Sequence, residues 1–236
     1  MMFPYAEFLL NFDNKHGSMT HRNAPENTRA AVIIETRPFF FLPKVIRNTM
    51  FFLNQRWNLY VFCGELSYDY VTAALQGWAV HIIKIPGLYR LSTSDYNKFL
   101  TDPNFWRRFK EEKLLIFQTD SILTSADIDA FMDYDYVGAP CGRFDAQYIA
   151  NGGLSLRTRQ AMIECTTKFR PSEAVAEDVF FTQAIRSIGA TMPNLDTATR
   201  FAVESVYTAH PVGVHGTDKC YHPIDVAQKI VNAIQY

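Results

Sequence analysis

Continuous apolar runs alternate along the chain with stretches in which apolar side chains recur at helical spacing. The first run, AAVIIET, begins at Ala30 or Ala31 and ends at Thr36, and its β-branched residues predict a buried parallel strand. Further strands are predicted for the segments NLYVFCG, AVHIIKIP, KLLIFQTD, DYVGAP and GGLSLR. Strands that alternate with helices indicate an α/β fold around a mostly parallel sheet with right-handed crossovers.

Helices are predicted between and after these strands. Pro43 favours a helix start, and residues 178–188 place Phe181, Ala184 and Ile185 on one helix face. The predicted helices are Leu42–Asn54, Tyr68–Gln76, Ser94–Leu100, Asn104–Glu112, Asp178–Ile188 and Pro223–Ile234, with a short one near Tyr5–Leu10. Residues 1–29 are interpreted as a lead-in segment and residues 30–236 as one domain, because no repeat or low-complexity linker interrupts them.

Composition narrows the classes of function. A chain of 236 residues, 48% of them apolar, can bury one large α/β core, and its net charge of −1 excludes the broad basic field that attracts nucleic acid. The N-terminal segment lacks a basic start and contains Glu7, so no secretory signal is predicted, and no apolar run is long enough to predict a membrane span. This pattern favours a cytoplasmic enzyme, or a chain from which an anchor has been removed. The cysteines have no CxxC spacing and are interpreted as reduced thiols: Cys63, Cys141, Cys165 and Cys220.

Four short motifs carry the candidate chemistry. Asp120 directly follows the strand KLLIF, and open α/β sheets bind ligands beyond the carboxyl ends of their strands, where a carboxylate can hold a hard divalent cation. The paired glycines of NGGLSLR allow close approach of a ligand or of another strand. Asp178 of EDVFF can act as a base for an attacking hydroxyl, and His215 lies in a predicted Gly-flanked loop. Each motif also has a purely structural interpretation, as a turn or helix cap, a strand bulge, a helix start or a packing histidine.

The order of these motifs resembles that of the GT-A glycosyltransferases. QTD, DYVGAP, NGGLSLR, EDVFF and VGVHG follow one another as in that group, and VIIETR, LPKVIRN, WNLYVFCG, SDYNKFL and EEKLLIFQTDS extend the similarity over about residues 30–219. The pattern is most similar to the DUF5672 family of presumed glycosyltransferases. The resemblance implies a single GT-A domain, in which residues 30–120 hold the nucleotide and residues 121–236 form the acceptor and catalytic half.

The resemblance also implies roles for individual residues. An Asp-x-Asp-like motif that binds the metal and the diphosphate is matched by Gln118, Thr119 and Asp120. A glycine-rich loop on the sugar side is matched by Asn151, Gly152 and Gly153. Glu177 and Asp178 match the motif that supplies the base of inverting members, with Asp178 as the base and Glu177 as a structural or acceptor-binding group. His215 matches a late metal ligand. Gln118 replaces the first acid of the metal motif, so Asp120, His215 and phosphate oxygens would hold Mn²⁺ or Mg²⁺.

The end of the first strand supplies the candidates for the nucleotide base and ribose, which are Glu35, Thr36 and Arg37. Weaker candidates lie on a polar helix face and are Asp95, Asn97 and Lys98.

Three functions remain open. The first is a metal-dependent, inverting glycosyltransferase that moves a sugar from a nucleotide-sugar donor to a glycan or another hydroxyl acceptor. The second is a GT-A module that binds a sugar nucleotide or glycan without turnover. The glutamine at position 118, which replaces an acid of the metal motif, is the reason to retain this alternative. The third is a nucleotidyltransferase, and the lack of glycine in TRPFFFLPK after the first strand counts against it.

Overall fold

A six-stranded mixed sheet forms the centre of the protein. The computed structural model describes residues 4–141, 148–172, 175–219 and 221–235. The strands are β1 (Arg29–Glu35), β2 (Asn58–Cys63), β3 (His81–Lys84), β4 (Lys113–Phe117), β6 (Tyr136–Cys141) and β7 (Ile149–Thr158), while β5 (Ser121–Leu123) belongs to a second sheet. Their spatial order is β3-β2-β1-β4-β7-β6. β1 pairs in parallel with β2 and β4, and β2 with β3, whereas β7 runs antiparallel to both β4 and β6. The predicted α/β fold with a mostly parallel sheet is thus confirmed.

Nine helices accompany the sheet in the described ranges. They are α1 (Pro4–His16), α2 (Leu42–Leu53), α3 (Tyr68–Ala74), α4 (Thr93–Leu100), α5 (Pro103–Trp106), α6 (Arg159–Lys168), α7 (Glu177–Ser187), α8 (Leu195–Phe201) and α9 (Ile224–Ala233). None of these helices combines the length and apolar character that crossing a membrane requires.

The continuous apolar run of β1 is explained by burial on both faces of the sheet. Ala31 and Ile33 belong to one core cluster, with residues of α1, α2 and α9, and Val32 belongs to the other, with residues of α5, α6 and α7. A parallel strand covered by helices on both sides needs apolar residues at every position. This is why the strand could be recognised without alternation of polar and apolar residues.

Several elements differ from the predicted ones. The first helix is longer than predicted, because Phe8 and Phe12 continue its buried face against the core. The helix predicted for residues 104–112 ends at Trp106, after which the chain brings the buried Glu111 carboxylate to the side chains of Asn58 and Tyr60. α6 and α8 were not predicted. Three cysteines are free thiols, Cys63, Cys141 and Cys165, while Cys220 lies outside the described residues.

A second, three-stranded sheet lies at the carboxyl end of β4. It consists of β5, β8 (Ala202–Val203) and β9 (Gly213–His215), with β9 in the centre. Ser121 of β5 pairs with His215, and Val203 of β8 pairs with Val214. The prediction of a loop around His215 was therefore wrong, because this histidine ends a strand. Strands of two or three residues carry no periodic signal, and their pairing joins segments far apart in the chain.

Candidate functional site

A cleft of about 910 Å³ opens beyond the carboxyl ends of β1 and β4. All six residues predicted to meet the nucleotide and its diphosphate line it, namely Glu35, Thr36, Arg37, Gln118, Thr119 and Asp120. Residues 217–219, after β9, and residues 90–93, which lead into α4, line the cleft as well. The volume lies within the range of sites for small ligands and cofactors.

At the end of β1, the chain's own donors surround Glu35. The backbone N–H of Arg37 and its Nε donate to Oε1 at 2.8 and 2.9 Å, and its Nη2 donates to Oε2 at 2.7 Å. The Thr119 hydroxyl lies 3.4 Å from the same carboxylate. Thr36 is buried, and its Oγ1 accepts the backbone N–H of Leu91 at 2.9 Å. The Arg37 side chain is therefore the most accessible group of this trio, whereas Thr36 fixes the segment that leads to α4.

At the end of β4, two side chains converge on Nε2 of His215. Asp120 Oδ1 lies 3.5 Å from this nitrogen and Gln118 Oε1 lies 3.4 Å from it. The second oxygen of Asp120, Oδ2, lies 3.1 Å from Lys219 Nζ. The structure thus brings together the two residues predicted to share a metal, because Asp120 immediately precedes β5 and Ser121 pairs with His215.

The charges in this cluster stabilise one another. Burial by itself would lower the pKa of His215, but hydrogen bonds and charges from Asp120 and Glu204 raise it to about 9. Burial would raise the pKa of Asp120, but His215 and Lys219 hold this pKa well below its usual value. Without a bound cation, His215 is therefore an imidazolium between two carboxylates.

Two residues of the cluster were missed by the sequence analysis. Lys219 lies four positions after His215 in the segment HGTDK, and this closeness in the chain could have indicated that the two side chains share a site. Glu204 follows β8, and its Oε1 lies 3.1 Å from His215 Nδ1 and accepts a hydrogen bond from Asn151 Nδ2 at 3.1 Å. Nothing in the segment FAVESVY distinguished this glutamate from a surface acid.

The donor set fits a hard divalent cation. In the ranges that the structure covers, no group of three or more His, Cys, Asp or Glu side chains has the arrangement of metal ligands. The candidate ligands are instead the carboxylate of Asp120, the imidazole of His215 and the amide oxygen of Gln118. Amide oxygens are common ligands of such cations. The side chain of Gln118 also hydrogen-bonds the Tyr96 hydroxyl. With Nδ1 of His215 facing Glu204, its Nε2 is the nitrogen left for a cation, as is usual for metal-binding histidines.

The glycine pair packs against the protein's own polar side chains. A Cβ on Gly152 would overlap Glu177 Oε1 and lie 2.8 Å from Arg157 Nη2, and a Cβ on Gly153 would overlap His215 Nε2 and lie 2.7 Å from Gln118 Oε1. Neither glycine has a positive φ. The space beside both glycines is thus taken by neighbouring side chains rather than required by a conformation that only glycine adopts, and close approach of a ligand stays a prediction.

We expect Gly153→Val to disrupt the His215 cluster. The added side chain would have to displace either the imidazole or the Gln118 amide, and overpacking of a buried site typically costs about 1–3 kcal/mol. The variant should therefore melt at a lower temperature and lose Mn²⁺ binding, as measured by thermal unfolding and metal titration. Ala130→Val provides a control, because Ala130 is exposed to solvent and does not line the cleft. A Gly153→Val protein with wild-type stability and metal affinity would contradict this prediction.

The start of α7 is anchored by a buried ion pair. Arg157 Nη1 and Nη2 lie 2.9 and 3.1 Å from the two carboxylate oxygens of Glu177. The Arg157 guanidinium is fully buried and is surrounded by the rings of Trp106, Tyr136 and Phe181. Glu177, predicted to be a structural or acceptor-binding group, thus has both oxygens engaged by Arg157.

Asp178, the predicted base, lies next to this pair. Its Oδ1 accepts the N–H of Val179 at 2.7 Å, and its side chain is partly buried. Burial raises the pKa of Asp178, and the nearby Glu204 raises it further, while Arg157 opposes the shift. A carboxylate with a raised pKa is a better proton acceptor.

Of the three weaker candidates on α4, two have structural roles and the third is an exposed lysine. Asp95 forms a reciprocal cap with Ser92 at the start of α4. Asn97 Oδ1 accepts the backbone N–H of Glu177 at 3.2 Å and so joins α4 to α7. Lys98 is exposed.

Two solved structures are similar to this fold. The apo-form glycosyltransferase GlyE of Streptococcus pneumoniae TIGR4 superposes with a TM-score of 0.53 at 15% identity, over 86% of this chain and 60% of that chain. The mannosyltransferase PcManGT from Pyrobaculum calidifontis, in complex with GDP-Man and Mn²⁺, superposes with a TM-score of 0.52 at 15% identity, over 81% of this chain and 64% of that chain. The chain thus spans less than two thirds of the length of either relative. Identities this low show the fold alone, which is that of the GT-A glycosyltransferases.

The sequence comparisons give a family but no characterised relative. None of the curated proteins compared with the chain matches it. A match to the family described as "Protein of unknown function (DUF5672)" extends over residues 79–215, which is more than half of the chain, and the chain belongs to this family.

Proposed function

We propose that this chain is a metal-assisted, inverting glycosyltransferase that moves a sugar from a nucleotide-sugar donor to an acceptor hydroxyl. The observation that carries the proposal is the convergence of Gln118, Asp120 and His215, with Lys219, in one cleft beyond the parallel strands. Open α/β sheets bind nucleotides at this edge. Support also comes from PcManGT, a structural relative whose complex contains GDP-Man and Mn²⁺.

Gln118, Asp120 and His215 would hold the cation in this proposal. An imidazole among oxygen ligands favours Mn²⁺ over Mg²⁺. When bound, such a cation neutralises the charge that develops on a departing diphosphate. Because Gln118 is neutral, this ligand set carries one negative charge, whereas a set with an acid at position 118 would carry two.

Lys219 would provide a second positive charge for the diphosphate. Its side chain is about half exposed and reaches Asp120 from the wall of the cleft. An ammonium on a flexible stem can move between a carboxylate and a phosphate. The Arg37 guanidinium, which also lines the cleft, would contact the ribose or base together with Glu35 and Thr119.

Asp178 would accept the proton of the acceptor hydroxyl. The Arg157–Glu177 ion pair anchors the helix start that carries it. A fixed carboxylate with a raised pKa meets the requirements for a general base.

A thermal-shift screen of nucleotide sugars, with Mn²⁺ or with a chelator, tests the proposal. A donor at about one hundred times its dissociation constant stabilises the folded state by about 2.7 kcal/mol. For a chain of this size, the melting temperature should then rise by roughly 5–10 °C. We expect this rise with at least one nucleotide sugar, and only when Mn²⁺ is present. If no nucleotide sugar raises the melting temperature in either condition, the donor assignment is wrong.

A second function, binding without turnover, is favoured by one observation. Gln118 occupies the position that matches the first acid of the GT-A Asp-x-Asp motif, so the cation would be held with less charge. A binding module would give the same thermal shift as an enzyme. Release of nucleoside diphosphate over time, in the presence of acceptor, distinguishes the two.

A further inference from the structure

The register of the small sheet sets Glu204 beside His215. Val203 of β8 pairs in parallel with Val214 of β9, so the next residues, Glu204 and His215, are neighbours across the two strands. Asp120 precedes β5 on the other side of β9. The imidazole of His215 thus lies between a carboxylate at each ring nitrogen: Glu204 at Nδ1 and Asp120 at Nε2.

The hydrogen bonds around Glu204 have only one consistent direction. Asn151 Oδ1 accepts the backbone N–H of Gly153 at 2.6 Å, so its Nδ2 is the group that donates to Glu204 Oε1 at 3.1 Å. An ionised carboxylate only accepts, and therefore the hydrogen between Glu204 and His215 belongs to Nδ1. Glu204 is 4% exposed, and its Oε2 has no hydrogen-bond partner in the part of the chain that the structure describes.

We propose that Glu204 is a positioning residue of the candidate cation site. By accepting the Nδ1–H of His215, its carboxylate turns the imidazole so that Nε2 and its lone pair face Gln118 and Asp120. The inference rests on the proposed function, because it concerns the cation that these three residues would hold. Glu204 does not contact that position itself, since the two ring nitrogens of His215 point in divergent directions.

The burial of Glu204 supports this role over a purely structural one. Burying a carboxylate is costly unless it is hydrogen-bonded, and an apolar residue could fill the same space at the end of β8 without that cost. Metal-binding histidines usually donate their second N–H to a carboxylate or carbonyl, and loss of that partner typically lowers metal affinity by about 10–100-fold.

Mn²⁺ titration of four proteins tests the inference. The wild type, Glu204→Met, Glu204→Asp and Glu204→Gln are titrated with Mn²⁺ alone at one pH, and free Mn²⁺ is measured by electron paramagnetic resonance. Methionine removes the acceptor, and aspartate keeps the charge but is one methylene too short to reach Nδ1. We expect both to bind Mn²⁺ about 10–100-fold more weakly. Glutamine still presents an oxygen to Nδ1–H, and we expect it to retain most of the affinity.

Glu164→Met is the matched control, because Glu164 lies on α6, is partly exposed and contacts Lys168. It should bind Mn²⁺ as the wild type does. Thermal unfolding identifies variants that do not fold, and Glu204→Asp decides the matter if Glu204→Met is one of them. A folded Glu204→Met or Glu204→Asp protein with wild-type affinity would overturn the inference, as would a Glu204→Gln protein as weak as Glu204→Met. A wild type that binds no Mn²⁺ would instead overturn the proposed metal site, and this inference with it.

Discussion

Asp120→Asn is expected to remove the metal-dependent part of nucleotide binding. Asparagine keeps the size of the side chain but not its charge, and it leaves His215 and Lys219 without their shared carboxylate. Loss of an outer partner of a ligand already costs about 10–100-fold in metal affinity, so loss of a charged ligand should cost at least about 100-fold. Calorimetric titration with a nucleoside diphosphate, with Mn²⁺ and with a chelator, measures this difference.

Weak nucleotide binding that does not need the metal should survive in this variant, because the positively charged side chains of His215 and Lys219 still attract a diphosphate. Asp127→Asn serves as the control, since Asp127 contacts Ser125 and does not line the cleft. An Asp120→Asn protein that gains as much affinity from Mn²⁺ as the wild type would exclude Asp120 as a ligand.

Asp178→Asn is expected to lower turnover by about 10²–10⁴-fold, the usual effect of removing a general base. Donor binding should stay nearly unchanged, because the asparagine keeps the size of the side chain and can still accept the N–H of Val179. A base works when deprotonated, so the wild-type rate should rise with pH through the pKa of Asp178. Burial places that pKa above its ordinary value of 3.8. The variant should lack this rising limb.

Asp196→Asn is a matched control for this experiment, because Asp196 also lies in the first turn of a helix, α8. If the proposed inversion is correct, nuclear magnetic resonance of the product will show the anomeric configuration opposite to that of the donor. Retention of configuration, or normal turnover by Asp178→Asn, would leave Asp178 with only the role of a helix start.

The central sheet could be predicted because β1, β2 and β4, which form its middle, are buried on both faces. β1, β2 and β4 are continuous apolar runs, and such runs indicate parallel strands covered by helices. α6 was missed although its buried residues, Ala161, Met162, Cys165 and Thr166, recur at helical spacing, because Ala161 is small and Thr166 is polar, so the apolar stripe is weak. The short strands of the second sheet had no local signal at all.

The candidate site was predicted in part. Asp120 was found because it follows a buried strand. His215 was singled out as a Gly-flanked histidine, and the resemblance to a family gave it the role of a metal ligand. The distance between them is compatible with a shared cation, which remains a proposal. Glu204 could not be found, because its position beside His215 depends on the pairing of β8 with β9, which joins residues that no local pattern connects.

The second sheet also determines when the cluster can form during synthesis. Gln118 and His215 are 97 positions apart, and the strand that carries His215 must insert between β5 and β8 before their side chains meet. Contacts between such distant residues form slowly, because a long loop must close first. A nascent chain that ends before Gly213 therefore has the Asp120 carboxylate but no imidazole beside it. Affinity for the cation would then mark the completion of folding, and a growing chain would acquire it only after residue 215 leaves the ribosome.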